Sequence, residues 1–145
     1  MEKIIERWDE AHGVSRCVLN YQTSSGLIIQ GIGIAECHPD DAPFMSQLTG
    51  GIIAEYRAEI DLIKKINNYE LKPGLAALKH VFCTMNQSKK YNEKSYEATR
   101  LKKEIAHIMD EIEENNKSIE DLQKTLKNYI KEKEKFYSTI KKGQK

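Results

Sequence analysis

The sequence predicts an α+β protein, with a small N-terminal antiparallel β-sheet followed by long C-terminal α-helices in an intertwined homo-oligomer. Three observations carry this. First, Leu101, Ile105, Ile108, Ile112, Asn115, Ile119, Leu122, Leu126, Tyr129, Lys133, Phe136 and Ile140 follow one another in steps that alternate four and three. That is a heptad seam, apolar except at Asn115 and Lys133, with mostly charged or amide residues between. Second, residues 16–22 and 27–35 are β-branched and aromatic-rich runs joined by Thr23-Ser24-Ser25-Gly26. Two such runs around four turn-forming residues read as a β-hairpin. Third, a stripe as narrow as the heptad seam cannot build its own core, so it needs another helix from this chain or a second copy.

At 145 residues the length favours a single domain. Within it the reading is a β-rich part over 1–48, a kinked helix over 49–87, a turn over 88–95 and a long amphipathic helix over 96–142. Charged residues make up 31% and hydrophobic ones 39%, a composition of soluble, helix-rich proteins. No apolar run approaches the 18 residues that a membrane span requires, and Met1-Glu2-Lys3 opens no signal-peptide core. The expectation is therefore no membrane partner. Cys17, Cys37 and Cys83 form no C-x-x-C pair and suit reduced thiols in a cytoplasm. Net charge is +1, with three Lys/Arg against seven Asp/Glu in residues 1–45. No strong basic face results, so no nucleic-acid partner is expected.

Taken in order, Glu2 to Ala11 fits either a short helix or a strand with a loop, and Trp8 within it is expected to cover the edge of the core. The hairpin follows. It is too small to be stable alone, so it must pack on the helices or pair with another strand. In its second strand Gly31 and Gly33 alternate with isoleucines, which lets something bulky approach one face. Pro39 and Pro43 end the sheet, with Asp40 or Asp41 placed to cap a short helical turn. Gly50 and Gly51 punctuate, and a helical pattern is expected to begin after them. Its stripes are Ile53, Tyr56, Ile60, Ile63 and then Leu71, Leu75, Leu78, Phe82, Met85. Asn67-Asn68 and Pro73 between the stripes predict a bend or a break, because proline removes a backbone donor and crowds the preceding turn. The polar segment 86–95 predicts a turn, with Asn92 or Ser95 as N-cap of the last helix. Asn115-Asn116-Lys117-Ser118 resembles a new helix start, but the four-three alternation passes through Asn115 without slipping. Continuity is expected, with Asn115 as a register-setting polar seam residue.

No motif for catalysis stands out: there is no Ser-His-Asp or Cys-His context, no H-E-x-x-H and no phosphate-binding glycine loop. No catalytic residue and no cofactor are expected. Cys37-His38 lacks a second ligand pair at metal spacing, so no metal site is expected either. Binding is better supplied. Arg57 is the only basic residue between Arg16 and Lys64; its plain role is an ion pair with Asp61 one turn on, its sharper role a fork on a phosphate. Phe82 packs in the stripe or, near a pocket, stacks a base. Asn92 caps a helix whose N-terminus also favours an anion.

The run Gly33-Ile-Ala35-Glu-Cys37-His-Pro39-Asp-Asp41-Ala-Pro-Phe44, then Gly50-Gly-Ile-Ile-Ala54-Glu-Tyr-Arg57-Ala58, carries a likeness. With Phe82-Cys-Thr-Met, Tyr91-Asn92 and the long last helix, the chain resembles, over nearly its whole length, the first family of phage-encoded Thoeris anti-defence proteins. The Cys-x-Pro…Arg-Ala segment recurs in several phage proteins; its combination with the later residues points to this family. The resemblance implies a sponge working in the cytoplasm of an infected bacterial host. It would bind the cyclic ADP-ribose isomer (glycocyclic ADP-ribose) made by a TIR-domain enzyme, in recessed pockets at a homodimer interface, without cleaving it. By the same resemblance Arg57 would grip the pyrophosphate, Phe82 would stack the adenine and Asn92 would hydrogen-bond the ligand, with Tyr91 and Met85 nearby. Two other classes stay open: a structural coiled-coil protein, and an enzyme that degrades a cyclic nucleotide.

Overall fold

The computed structural model describes residues 2–9, 14–36, 47–86 and 96–143, with side chains described for 14–36, 49–85, 96–136, 138 and 139. Three strands, β1 (Glu2–Asp9), β2 (Val14–Gln22) and β3 (Ile28–Glu36), form an antiparallel meander in the order β1-β2-β3. The segment that fitted helix or strand is thus a strand, whose register on β2 shifts between Glu6 and Asp9. The turn between β2 and β3 closes through Thr23. Its N–H donates to the Leu27 carbonyl at 2.8 Å, its carbonyl accepts from Gly26 N–H at 3.0 Å, and its hydroxyl accepts from Leu27 N–H at 3.1 Å. Gly26 sits at φ 89°, the left-handed region where a side chain is costly.

Helix α1 (Gln47–Ile66) lies across one face of this sheet. The buried core is shared between Cys17, Leu19, Ile29 and Ala35 of the strands and Ile53, Ala54, Ala58 and Leu62 of the helix. What approaches the glycine face of β3 is this helix. A Cβ on Gly31 would strike the Ala58 carbonyl and Leu62, and one on Gly33 would strike the Ala54 carbonyl and the Ala58 nitrogen. Alanines meeting glycines bring the backbones closer than ordinary helix–sheet packing, which is why both residue types are small here. α1 begins at Gln47, two residues before the expected 49, and takes Gly50 and Gly51 into its first turns. Thr49 and Gly50 are buried, so packing of the first turn outweighs the cost of about 1 kcal/mol per glycine.

After Ile66 the chain makes a π-helical turn, π1 (Asn67–Leu71), and continues as α2 (Lys72–Asn86). A straight α-helix across Pro73 was not expected, and the wider turn just before it is how the helical path gets through. The reason lies in the spacing of the apolar positions. Ile53, Tyr56, Ile60, Ile63 and Asn67 alternate three and four; continued, they would reach Glu70, Gly74, Ala77, Val81 and Thr84. Glu70 and Gly74 are half-buried, but beyond them the half-buried positions are Leu75, Leu78, Phe82 and Met85, while Ala77, Val81 and Thr84 are exposed. The stripe has slipped by one residue, and a single π turn absorbs one extra residue in a helix.

The last helix, α3 (Tyr96–Gly143), is unbroken over 48 residues, about 72 Å at 1.5 Å per residue. It packs against α1, π1 and α2. Its polar seam position meets a polar partner: Asn115 Nδ2 donates to Asn67 Oδ1 at 2.8 Å, and Asn67 Nδ2 donates to Asn116 Oδ1 at 3.2 Å. Asn67 is 4% exposed, so both ends of a buried carboxamide are satisfied by consecutive residues of α3. The expected register role of Asn115 thereby gains a partner. Elsewhere the seam is only half-covered: among its described positions Leu101, Ile105, Ile108, Ile112, Leu122, Leu126 and Tyr129 are half-buried, Ile119 is buried and Phe136 is exposed.

Candidate functional site

Arg57, Asp61 and Lys65 point one after another along α1 toward the outer edge of β3. Arg57 Nη1 donates to the Ile34 carbonyl at 2.7 Å, Ile32 N–H donates to Asp61 Oδ2 at 2.8 Å, and Lys65 Nζ donates to the Gln30 carbonyl at 2.9 Å. Lys65 Nζ also pairs with Asp61 Oδ2 at 2.9 Å. The match is geometric. Four helical residues advance about 6 Å and two strand residues about 6.6 Å, so side chains at every fourth helix position meet every second strand residue. The expected Arg57–Asp61 ion pair is therefore replaced: Asp61 pairs with Lys65, and Arg57 is held by a backbone carbonyl on a strand 23 residues earlier. That bond uses one of the five N–H donors of a guanidinium. Arg57 remains exposed.

Phe82 and Met85 sit one turn apart on the half-buried side of α2. Lys102 of α3 holds its Nζ 5.8 Å from the centre of the Phe82 ring, within cation–π range. On the same helix pair a cleft of about 390 Å³ opens between Leu78, Lys103, Glu104, His107 and Ile108. Tyr91 and Asn92, and with them the expected caps at Asn92 and Ser95, lie outside the described residues, as do Cys37, His38, Asp40 and Asp41. Trp8 belongs to β1 but its side chain is outside the described set. No group of three or more His, Cys, Asp or Glu suited to a metal occurs among the described residues. Cys17 is buried and Cys83 exposed, both as free thiols. No helix is long and apolar enough to cross a membrane.

Arg57 and Phe82 are 25 residues apart on one helical path, which at 1.5 Å per residue is about 37 Å. One copy of the chain does not bring them into one pocket. Phe82 and Met85 are neighbours; Arg57 belongs to the sheet edge. Sequence reasoning missed the Asp61–Ile32 and Lys65–Gln30 bonds. The Arg57-Asp61-Lys65 spacing, every fourth residue in the helix after a strand, was the available signal.

The architecture is that of an α+β protein: a three-stranded meander carried on α1, extended by an antiparallel pair of helices. No protein-family model, no curated protein and no solved structure matches the chain.

Proposed function

We propose that this protein is a sponge for a cyclic nucleotide messenger. It holds the TIR-derived glycocyclic ADP-ribose of bacterial Thoeris immunity, in the cytoplasm of a phage-infected host, and releases it unaltered. The reading starts from the likeness of Gly33–Phe44, Gly50–Ala58, Phe82–Met85 and Tyr91-Asn92 to the anti-defence family. The structural observation that supports it is the half-covered seam of α3. A cationic fork and a ring that one chain holds apart can act on one ligand only across an interface, with Arg57 from one copy and Phe82 and Met85 from another. The seam supplies the surface on which copies meet. Arg57 is then pre-oriented by the Ile34 carbonyl, which lowers the ordering cost of gripping a pyrophosphate. Sequestration needs no chemistry beyond tight binding; nanomolar affinity corresponds to about −12 kcal/mol.

The test is recovery of the messenger. The protein is incubated with glycocyclic ADP-ribose, freed of unbound ligand, heat-denatured and assayed by mass spectrometry. A sponge returns the intact mass in stoichiometric amount, and Phe82→Ala returns little. Product of altered mass beyond stoichiometry would establish a hydrolase instead. The half-covered seam equally favours a structural coiled-coil protein, which predicts no retained nucleotide and indifference to Arg57→Ala and Phe82→Ala.

A further inference from the structure

The π turn carries the one-residue slip between the two apolar stripes and leads directly into Pro73. Removing one residue from 67–71 would restore unbroken four-three spacing, carrying Leu71, Leu75, Leu78, Phe82 and Met85 onto the seam positions in ordinary α geometry. Phase alone therefore does not demand the turn, although Pro73 just beyond it resists a straight path. The turn also carries a cost. Lys72 N–H bonds the Asn67 carbonyl, and Pro73 supplies no N–H at all. The carbonyls before Pro73 therefore have one donor fewer within reach. Single π turns of this kind occur often at functional sites.

Beside this turn a cleft of about 360 Å³ opens between the helical path and α3. Its rim carries Lys64 and Lys72 on either side of the turn, with Asn68, Asn116 and Glu120, over the buried Asn67. Two ammonium groups can neutralise a phosphoryl dianion as point charges. Two carboxamides and a carboxylate are acceptors suited to hydroxyl groups. A bare anion would use only the lysines and would face Glu120. A plain sugar would leave the lysines unused. A molecule carrying both kinds of group uses all of them, and the volume lies at the small end of ligand pockets.

We propose that this cleft is a binding site for a small phosphorylated sugar, and that the π turn is kept because it opens the site. The site lies within one chain, away from Arg57 and Phe82, so it stands or falls independently of the sponge reading. The probe is ribose 5-phosphate, titrated into the isotope-labelled full chain and followed by amide chemical shifts, with inorganic phosphate and ribose as comparators. Saturable shifts confined to residues near 64–72 and 116–120 are expected, with binding at least tenfold weaker in a Lys64→Ala/Lys72→Ala variant. Deleting Tyr69, which is 64% exposed, should leave the helical circular dichroism intact and abolish the shifts. If that deletion unfolds the chain, the lysine pair, both exposed, decides alone. Absence of saturation, equal affinity for inorganic phosphate, or unchanged binding in the lysine variant overturns the proposal.

Discussion

The sheet with α1 and the paired helices α2 and α3 are built on opposite terms. In the first region Cys17, Ala54 and Ala58 are wholly buried and Leu19, Ile29 and Leu62 nearly so. There the helix backbone rests on Gly31 and Gly33. In the second, Leu75, Leu78, Phe82 and Met85 of α2, and Leu101, Ile105 and Ile108 of the α3 helix that packs on it, are each half-exposed. Two helices alone cannot enclose a seam; a third layer is needed before such residues leave water. One region closes a core beneath α1, with Leu27, Ile28 and Ile34 on or beside β3 left exposed, while the other encloses little of its seam.

Gly33→Val tests that contrast most severely. Its side chain would meet the Ala54 carbonyl and the Ala58 nitrogen, backbone atoms that cannot move aside as a flexible side chain would. Overpacking of this kind costs about 3 kcal/mol or more, read as a lowered urea midpoint. At the junction of the two regions, Asn67→Ala removes the partner of Asn115 and Asn116. The expected loss is about 1–3 kcal/mol, the range for stranding partly buried amides. An Asn67→Ala midpoint equal to that of the parent would show that the three asparagines do not hold α3 in place. At the sheet edge, Asp61→Ala releases the Ile32 N–H and the Lys65 ammonium. About 1 kcal/mol should be lost, with a measurable rise in concentration-dependent aggregation as β3 regains a free donor. In the helix pair, Leu78→Ala should cost under about 1 kcal/mol in dilute protein, since the side chain is already half in water. The penalty should grow with protein concentration if copies cover it. A penalty that stays flat from micromolar to millimolar would show that no second copy docks there.

What was legible in the sequence divides along the same line. The β2–β3 hairpin, its Thr23–Gly26 turn and the unbroken last helix could be read because their signals are local: alternation, turn residues and a seven-residue repeat. β1 stayed undecided because adjacent Ile4 and Ile5 satisfy neither period cleanly. α1 starts at Gln47, two residues before the expected 49, and Gly50, a poor helix former, is held in its first turn by burial, a tertiary effect that overrides propensity. Asn67-Asn68 and Pro73 signalled an irregularity, while its kind was hidden in a one-residue slip between two stripes that each looked regular. Arg57 was assigned the wrong neighbour because its acceptor lies on a strand far earlier in the chain, and an i,i+4 rule sees only its own helix. Of the remaining site residues, Phe82 and Met85 fall together as their spacing implies.

The three α1 side chains that occupy the rim of β3 have a consequence for how large an assembly this sheet can join. A ribbon that accepts neighbours on both margins can propagate into a fibre. Here one margin is occupied from within, so any strand arriving from another molecule must add beside β1. Two such molecules that meet there by a twofold axis satisfy each other and leave nothing for a third to extend. Growth through the sheet would then stop at a pair.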